Sequence, residues 1–198
     1  MSAPAEHVAA VVLAAGEGRR FGSQKLLAPL GDRALLQHAI DAAIASSLSP
    51  IIVVLGANAE AVAAGVRSGR AVLVHNPDHA TGQASSLQVG LRSLDTSDAA
   101  VVVLGDQPNV TAALLDALAG AQRSSGAPAV VCSQDGRRSP PTLLHRDLWE
   151  EVHGLRGDTG AREVLARHSN VAVFEVPDGL ARLDDVDTQA DRERLSRD

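Results

Sequence analysis

Aromatic side chains are nearly missing from this sequence, which has no Tyr, one Trp and two Phe among 198 residues. A protein that grips single-stranded nucleic acid by stacking bases on aromatic rings needs more of them, so that partner class is set aside. Net positive charge is missing as well. The formal charge of -6 gives no general attraction to phosphate backbones or anionic lipid, and any anion site must be local. The only cysteine, Cys132, has no partner for an intrachain disulfide and sits in an apolar run, where a thiol packs as a small hydrophobe. No apolar stretch reaches the roughly 18 residues of a membrane span, and no basic, apolar, small-residue leader opens the chain. The expectation is a cytoplasmic protein with neither nucleic acid nor membrane as partner. Zinc-type His/Cys spacing, internal repeats and low-complexity segments are also absent.

What is present is a core of Ala, Val, Leu and Ile in alternating strand and helix patterns, on a chain long enough for one α/β domain spanning residues 1–198. Short apolar runs at 9–13, 51–55 and 100–104 read as strands buried on both faces of a sheet, and 71–75 as a further strand. Later strands are expected at 129–132, 141–144 and 171–176, with Pro141 placing its strand at an edge or a strand start. Helical spacing of apolar residues marks 34–45, 57–66, 85–94 and 111–123. Asp32 could cap the first of these helices and Ser85 the third. Trp149 reads as a core anchor. Thr188 and Asp191 have the spacing of a helix start signal.

The chemistry gathers in the loops. VAAVVLAAGEGRRFGSQK, residues 8–25, joins a buried strand to a loop with Gly16, Gly18 and Gly22, which permit positive φ and close approach to a ligand, and with Arg19, Arg20 and Lys25 as cations. A polyphosphate suits such a loop. The dinucleotide fingerprint GxGxxG fails because its third position falls on Phe21, and the Walker frame fails because Lys25 precedes Leu26. No acid follows the strand at 51–55, where Leu55-Gly56-Ala57-Asn58 stands, and this weighs against a dinucleotide cofactor. The strand at 100–104 runs into Gly105-Asp106-Gln107-Pro108. Asp106 at the carboxyl rim of the sheet is a candidate Mg²⁺ ligand, or else a turn former. Three more carboxylates, Asp184, Asp185 and Asp187, lie far along the chain. A triphosphate loop, a lysine and two carboxylates brought to one cation would support metal-assisted transfer at phosphorus. Gly82, Gln83, Ser85 and Ser86 offer amides and hydroxyls at a helix start. GLRGDTGAR, residues 154–162, is either an acidic-substrate site or a helix start capped by Asp158 or Thr159.

Taken together, LAAGEGRRFGSQKLLAPL, NPDHATGQASSLQVGL, GDQP, LRGDTGAR and DVDT resemble the MobA-like nucleotidyltransferases, and among them the MocA branch of molybdenum cofactor cytidylyltransferases. The resemblance spans residues 11–191. It implies a three-layer α/β/α sandwich with a mostly parallel, Rossmann-like sheet of the nucleotide-diphospho-sugar transferase type. It also implies transfer of CMP from CTP to a molybdopterin-type cofactor with release of pyrophosphate, in maturation of a molybdenum hydroxylase apoprotein. Carried over, Leu13, Ala14, Ala15, Gly16 and Gly18 would hold the nucleotide, with Arg19 and Lys25 on its phosphates and Gly82 and Ser86 near base and ribose. Asp106 would bind Mg²⁺ together with Asp187 or Asp185. LAAG and GDQP resemble the CTP users of the family. Ser139-Pro140-Pro141-Thr142-Leu143-Leu144 departs from the family pattern where the acceptor would lie. Two other readings follow: an NADPH-dependent reductase of a quinone-like pigment, and a non-catalytic carrier of molybdenum cofactor.

Overall fold

Alternation along the first strand sets the layering. In β1 (Val8–Ala14), Val8, Ala10, Val12 and Ala14 face one apolar cluster, while Ala9 and Val11 face another, because successive strand residues point to opposite faces. The computed structural model describes residues 2–16, 21 and 24–195. A two-strand hairpin, β2 (Pro29–Leu30) and β3 (Arg33–Ala34), follows the first loop, and α1 (Leu35–Ala45) covers the sheet. β4 (Ile51–Leu55), α2 (Ala59–Gly65), β5 (Val72–His75), α3 (Gln83–Arg92), β6 (Ala99–Leu104) and α4 (Ala112–Ser125) come next. The rest is β7 (Ala129–Gln134), β8 (Arg137–His145), α5 (Trp149–His153), α6 (Ala161–Leu165), β9 (Ala172–Glu175) and α7 (Gln189–Leu195).

Seven strands pair in the order β5-β4-β1-β6-β8-β7-β9, and β8 alone runs antiparallel to its neighbours. Leu36, Ala39 and Ile40 of α1 and Leu114, Leu115 and Leu118 of α4 pack on one face. Ala84, Leu87 and Leu91 of α3 and Trp149 and Val152 of α5 pack on the other. This is the expected three-layer α/β/α arrangement on a mostly parallel sheet. Trp149 is buried, with its Nε1 donating to the Leu144 carbonyl at 3.3 Å and the Arg146 guanidinium 4.5 Å from its ring centre. Burial pushes the Cys132 thiol up to about 12, so it stays protonated and inert.

Three local expectations fail, each for a visible reason. Asp32 does not cap α1, whose cap position is Ala34 without a side-chain bond; Asp32 lies in the hairpin turn and pairs with Arg33 Nε at 2.9 Å instead. Ser85 lies inside the first turn of α3 rather than before it, because the helix starts at Gln83 after Gly82. Pro141 is on an interior strand, between β6 and β7. It is tolerated because β6 pairing stops at Thr142 and the β7 register jumps from Thr142 to Ser139, so no ladder partner asks for the missing N–H. The hairpin β2–β3 is too short to show an alternating pattern, and sequence reasoning did not anticipate it.

Parallel pairing brings the carboxyl ends of three strands to one rim. Ala14 lies opposite Leu55 and Leu13 opposite Leu104, so the loops after β1, β4 and β6 open side by side. In open α/β sheets this rim is where ligands collect.

Candidate functional site

A cavity of about 440 Å³ opens at that rim. Leu13 and Ala14 line it from the end of β1, Ala15, Gly16 and Lys25 from the loop that follows, Gly82 and Ser86 from the start of α3, and Asp106 from the tip of β6. Gly18, Arg19, Arg20 and Gly22 lie outside the described residues. Gly16 has no positive φ, contrary to the expectation for that loop, and among the described residues a Cβ there would meet nothing within 4 Å. His79, Gln83 and Asp158 also line the cavity. His79 carries no spacing signal in the sequence, and Asp158 lies in the segment that the sequence leaves open between a substrate contact and a helix cap.

Lys25 begins a single 3-10 turn, Lys25–Leu27, that returns the chain to the rim. Its Nζ donates to Asp106 Oδ2 at 2.7 Å and to Asp187 Oδ1 at 3.1 Å, and only 10% of its side chain is exposed. Burial works to lower the lysine pKa, but the Asp106 charge and hydrogen bond, with those of Asp187, outweigh it and hold the pKa above its ordinary value. The ammonium thus stays charged at neutral pH, and a cation already bridges two carboxylates separated by 81 positions in the chain.

The tail that brings Asp187 here is anchored by Val186. Its side chain is fully buried among Phe21, Ala28, Leu30 and Leu35, and its N–H donates to the Asp106 carbonyl at 3.0 Å. Asp185 and Asp187 flank that anchor. Asp185 is pushed up to about 6, first by loss of water around its carboxyl and then by the Asp106 charge, with Asp187 adding to it, against a Gln107 hydrogen bond and Lys25. Neither of these two acids lines the cavity itself; Asp187 is tied to it through Lys25.

Because Asp185 binds its proton more tightly in the folded chain than in the unfolded one, ionising it costs stability. That cost is absent below pH 4 and grows as pH rises through about 6. The residue as a whole is exposed although its carboxyl is partly shielded from water, so Asp185→Asn is expected to stabilise the metal-free protein at pH 7.5 by only about 1 kcal/mol, and to make no difference near pH 4. Urea unfolding of both proteins at the two pH values measures it, and a difference independent of pH would refute the assignment.

Two buried amides organise the site, and sequence reasoning missed both. Gln107, with no exposed surface, donates from Nε2 to Pro140 O at 3.2 Å and, at longer range, to Ser139 Oγ at 3.4 Å and Leu183 O at 3.5 Å. It thereby joins the β6 tip to the bulge of β8 and to the tail. Asn76, also buried, donates from Nδ2 to Ser85 Oγ and Ser86 Oγ at 2.9 Å each and so fixes the start of α3. The only sequence signal for either is a polar residue next to a strand end, which by itself reads as an exposed turn.

Residues 10–171 match the MobA-like NTP transferase domain, a span covering most of the chain. The chain belongs to that family. Purine catabolism protein PucB from Bacillus subtilis is 32% identical over 94% of this chain and 95% of its own length. Nicotine blue oxidoreductase from Paenarthrobacter nicotinovorans is 32% identical over 80% of this chain and 81% of its own length. The bifunctional protein GlmU of Kineococcus radiotolerans is 32% identical over 98% of this chain, which spans only 40% of GlmU. Among solved structures, the rv0371c homolog from Mycobacterium sp. strain JC1 superimposes with a TM-score of 0.82 at 33% identity, covering 96% of this chain and 95% of the other. Rv0371C from Mycobacterium tuberculosis, solved in complex with manganese, gives a TM-score of 0.78 at 26% identity over 96% and 98% of the two chains.

Family membership makes this MobA-like protein a nucleotidyltransferase domain, and its donor set fits a hard divalent cation. The Lys25 ammonium stands where such a cation would be neutralised, between Asp106 and Asp187. Among the described residues no group of three or more His, Cys, Asp or Glu forms a metal cage. Two carboxylates suit Mg²⁺ nonetheless, since that ion takes few protein ligands and fills its shell with water and phosphate oxygens. Among the described residues no helix is long and apolar enough to cross a membrane.

Proposed function

We propose that this protein transfers CMP from CTP to a molybdopterin-type cofactor and releases pyrophosphate, serving the maturation of a molybdenum hydroxylase. The observation that carries the reading is the Lys25 bridge to Asp106 and Asp187 beside the loop after β1. Leu13, Ala14, Ala15 and Gly16, with Gly18 and Arg19 further along the loop, would hold the nucleotide, and Gly82 and Ser86 would meet its base and ribose. Lys25 would carry its charge to the triphosphate. Asp106 and Asp187, with Asp185 as the alternative second acid, would hold Mg²⁺, which neutralises charge on the phosphates and the leaving pyrophosphate. The terminal phosphate of the acceptor forms a new bond to the α-phosphorus as the bond to pyrophosphate breaks in line. Positioning and charge neutralisation supply most of the catalysis in such a transfer.

The similarity to nicotine blue oxidoreductase favours a second reading, an NADPH-dependent reductase of a quinone-like pigment. The Leu55-Gly56-Ala57-Asn58 turn, with no acid for ribose hydroxyls, favours the transferase. A third reading, a carrier of molybdenum cofactor, keeps the pocket and needs no turnover. Incubation with Mg²⁺, molybdopterin-type cofactor and each of CTP, GTP and ATP separates the three. The expected result is pyrophosphate release that requires Mg²⁺ and is fastest with CTP. NADPH consumption with quinone-like acceptors and no pyrophosphate would establish the reductase, and tight cofactor retention without turnover would establish the carrier.

A further inference from the structure

The segment LRGDTGAR, residues 155–162, takes no part in the phosphate chemistry above. Nor does it cap a helix: α6 follows Gly160 without a side-chain capping bond, and Thr159 Oγ1 turns back to donate to the Arg156 carbonyl at 2.7 Å. Instead it is clamped onto the start of α3. The Ala84 N–H donates to the Gly157 carbonyl at 3.1 Å. Buried Gln88 donates from Nε2 to the carbonyls of Val152, His153 and Leu155 at 3.0 to 3.2 Å. Gly82, at φ +116°, leaves no space between the two loops, since a Cβ there would lie 2.2 Å from the Gly157 carbonyl carbon. The clamp places Asp158 on the cavity wall beside Gly82 and Gln83. Its carboxylate has no hydrogen-bond or ionic partner among the described residues.

Strand order says which end of a nucleotide meets it. β6 lies on one side of β1, and β4 and β5 lie on the other. Lys25 and Asp106 hold the β6 side, whereas His79, Gly82 and Gln83 come from the segment after β5. A nucleotide with its phosphates at the first end presents its base at the second. Among the described residues, Asp158 and His79 are the ionisable side chains on that wall.

We propose that Asp158 is a specificity-determining residue that accepts a hydrogen bond from the exocyclic amino group of the base, selecting an amino-bearing base such as cytosine over a keto base such as uracil. The proposal rests on the nucleotidyl-transfer reading. An ionised carboxylate only accepts hydrogen bonds. The amine of cytosine satisfies it, while the carbonyl at the same position of uracil sets acceptor against acceptor, and such a mismatch rejects the wrong ligand.

Isothermal titration of CTP and UTP, with Mg²⁺, into the wild type, Asp158→Asn and Asp158→Ala tests this. The wild type is expected to bind CTP at least about tenfold more tightly than UTP. Asp158→Asn brings the two within about threefold, because a carboxamide N–H can meet the uracil carbonyl. Asp158→Ala weakens CTP about tenfold without strengthening UTP. A general loss of packing would weaken both ligands together and leave their ratio alone. Equal binding of CTP and UTP by the wild type, or an unchanged ratio in Asp158→Asn, overturns the proposal while leaving nucleotidyl transfer standing. No binding of either triphosphate by the wild type overturns the transferase reading itself.

Discussion

Asp106→Ala is expected to lower Mg²⁺-dependent pyrophosphate release at least about 100-fold, the scale on which removal of charge stabilisation acts. The variant should fold. What Asp106 gives the fold is its backbone carbonyl, which accepts the Val186 N–H at 3.0 Å, and alanine keeps that. The lost carboxylate leaves Lys25 with Asp187 and removes one of the two acids proposed to hold the divalent ion. A residue that only shaped the turn before Pro108 would give a different result, with a lower melting temperature and a rate per folded molecule close to wild type. Asp106→Asn sharpens the comparison, because it keeps the turn and the side-chain volume while removing the charge. Undiminished release by both variants would overturn the role assigned to Asp106.

The parts of this protein that could be read from its sequence are those whose physics is local. The apolar run ending at Leu55 specifies a strand because burial on both faces demands such residues, and its predicted bounds match β4, Ile51–Leu55. The Thr188 and Asp191 signal likewise holds. Thr188 Oγ1 and the Thr188 N–H both donate to Asp191 Oδ2, at 2.8 and 2.9 Å, and the Asp191 N–H donates back to Thr188 Oγ1 at 3.2 Å. What sequence could not supply is what long-range pairing decides. Pro141 argued for an edge position by the usual rule, but the bulge in β8 that frees it from the ladder depends on strands on either side. Asp158 stood open between a substrate contact and a helix cap because Gly82, which seats its loop against α3, is 76 positions away in the chain. The pairing of Lys25 with Asp187 rests on Val186, an ordinary valine in sequence, filling a pocket made by the hairpin and Phe21.

That pairing gives Lys25→Met two effects of opposite sign. Turnover with CTP is expected to fall at least about 100-fold, since the charge proposed to meet the triphosphate is gone. Manganese binding to the nucleotide-free protein, followed by loss of the free-ion paramagnetic resonance signal, is expected to tighten at least about tenfold. In the wild type the ammonium sits 2.7 Å from Asp106 and 3.1 Å from Asp187 and competes with any cation for the same two carboxylates. Raising the pH within the neutral range does not relieve the competition. The Lys25 pKa lies above its ordinary value, so its charge and the ion pairs it makes persist until the solution is strongly alkaline. Methionine matches the length of the lysine stem and removes the ammonium with its two hydrogen bonds, whereas a packing defect would weaken metal binding and turnover alike. In the wild type, a triphosphate that draws the ammonium away from Asp106 and Asp187 would free them for the ion, and nucleotide and metal would favour each other's binding. Loss of that mutual enhancement in Lys25→Met, together with the tighter binding of manganese alone, is the outcome that follows from the bridge; unchanged manganese affinity would show that Lys25 does not occupy the cation's place.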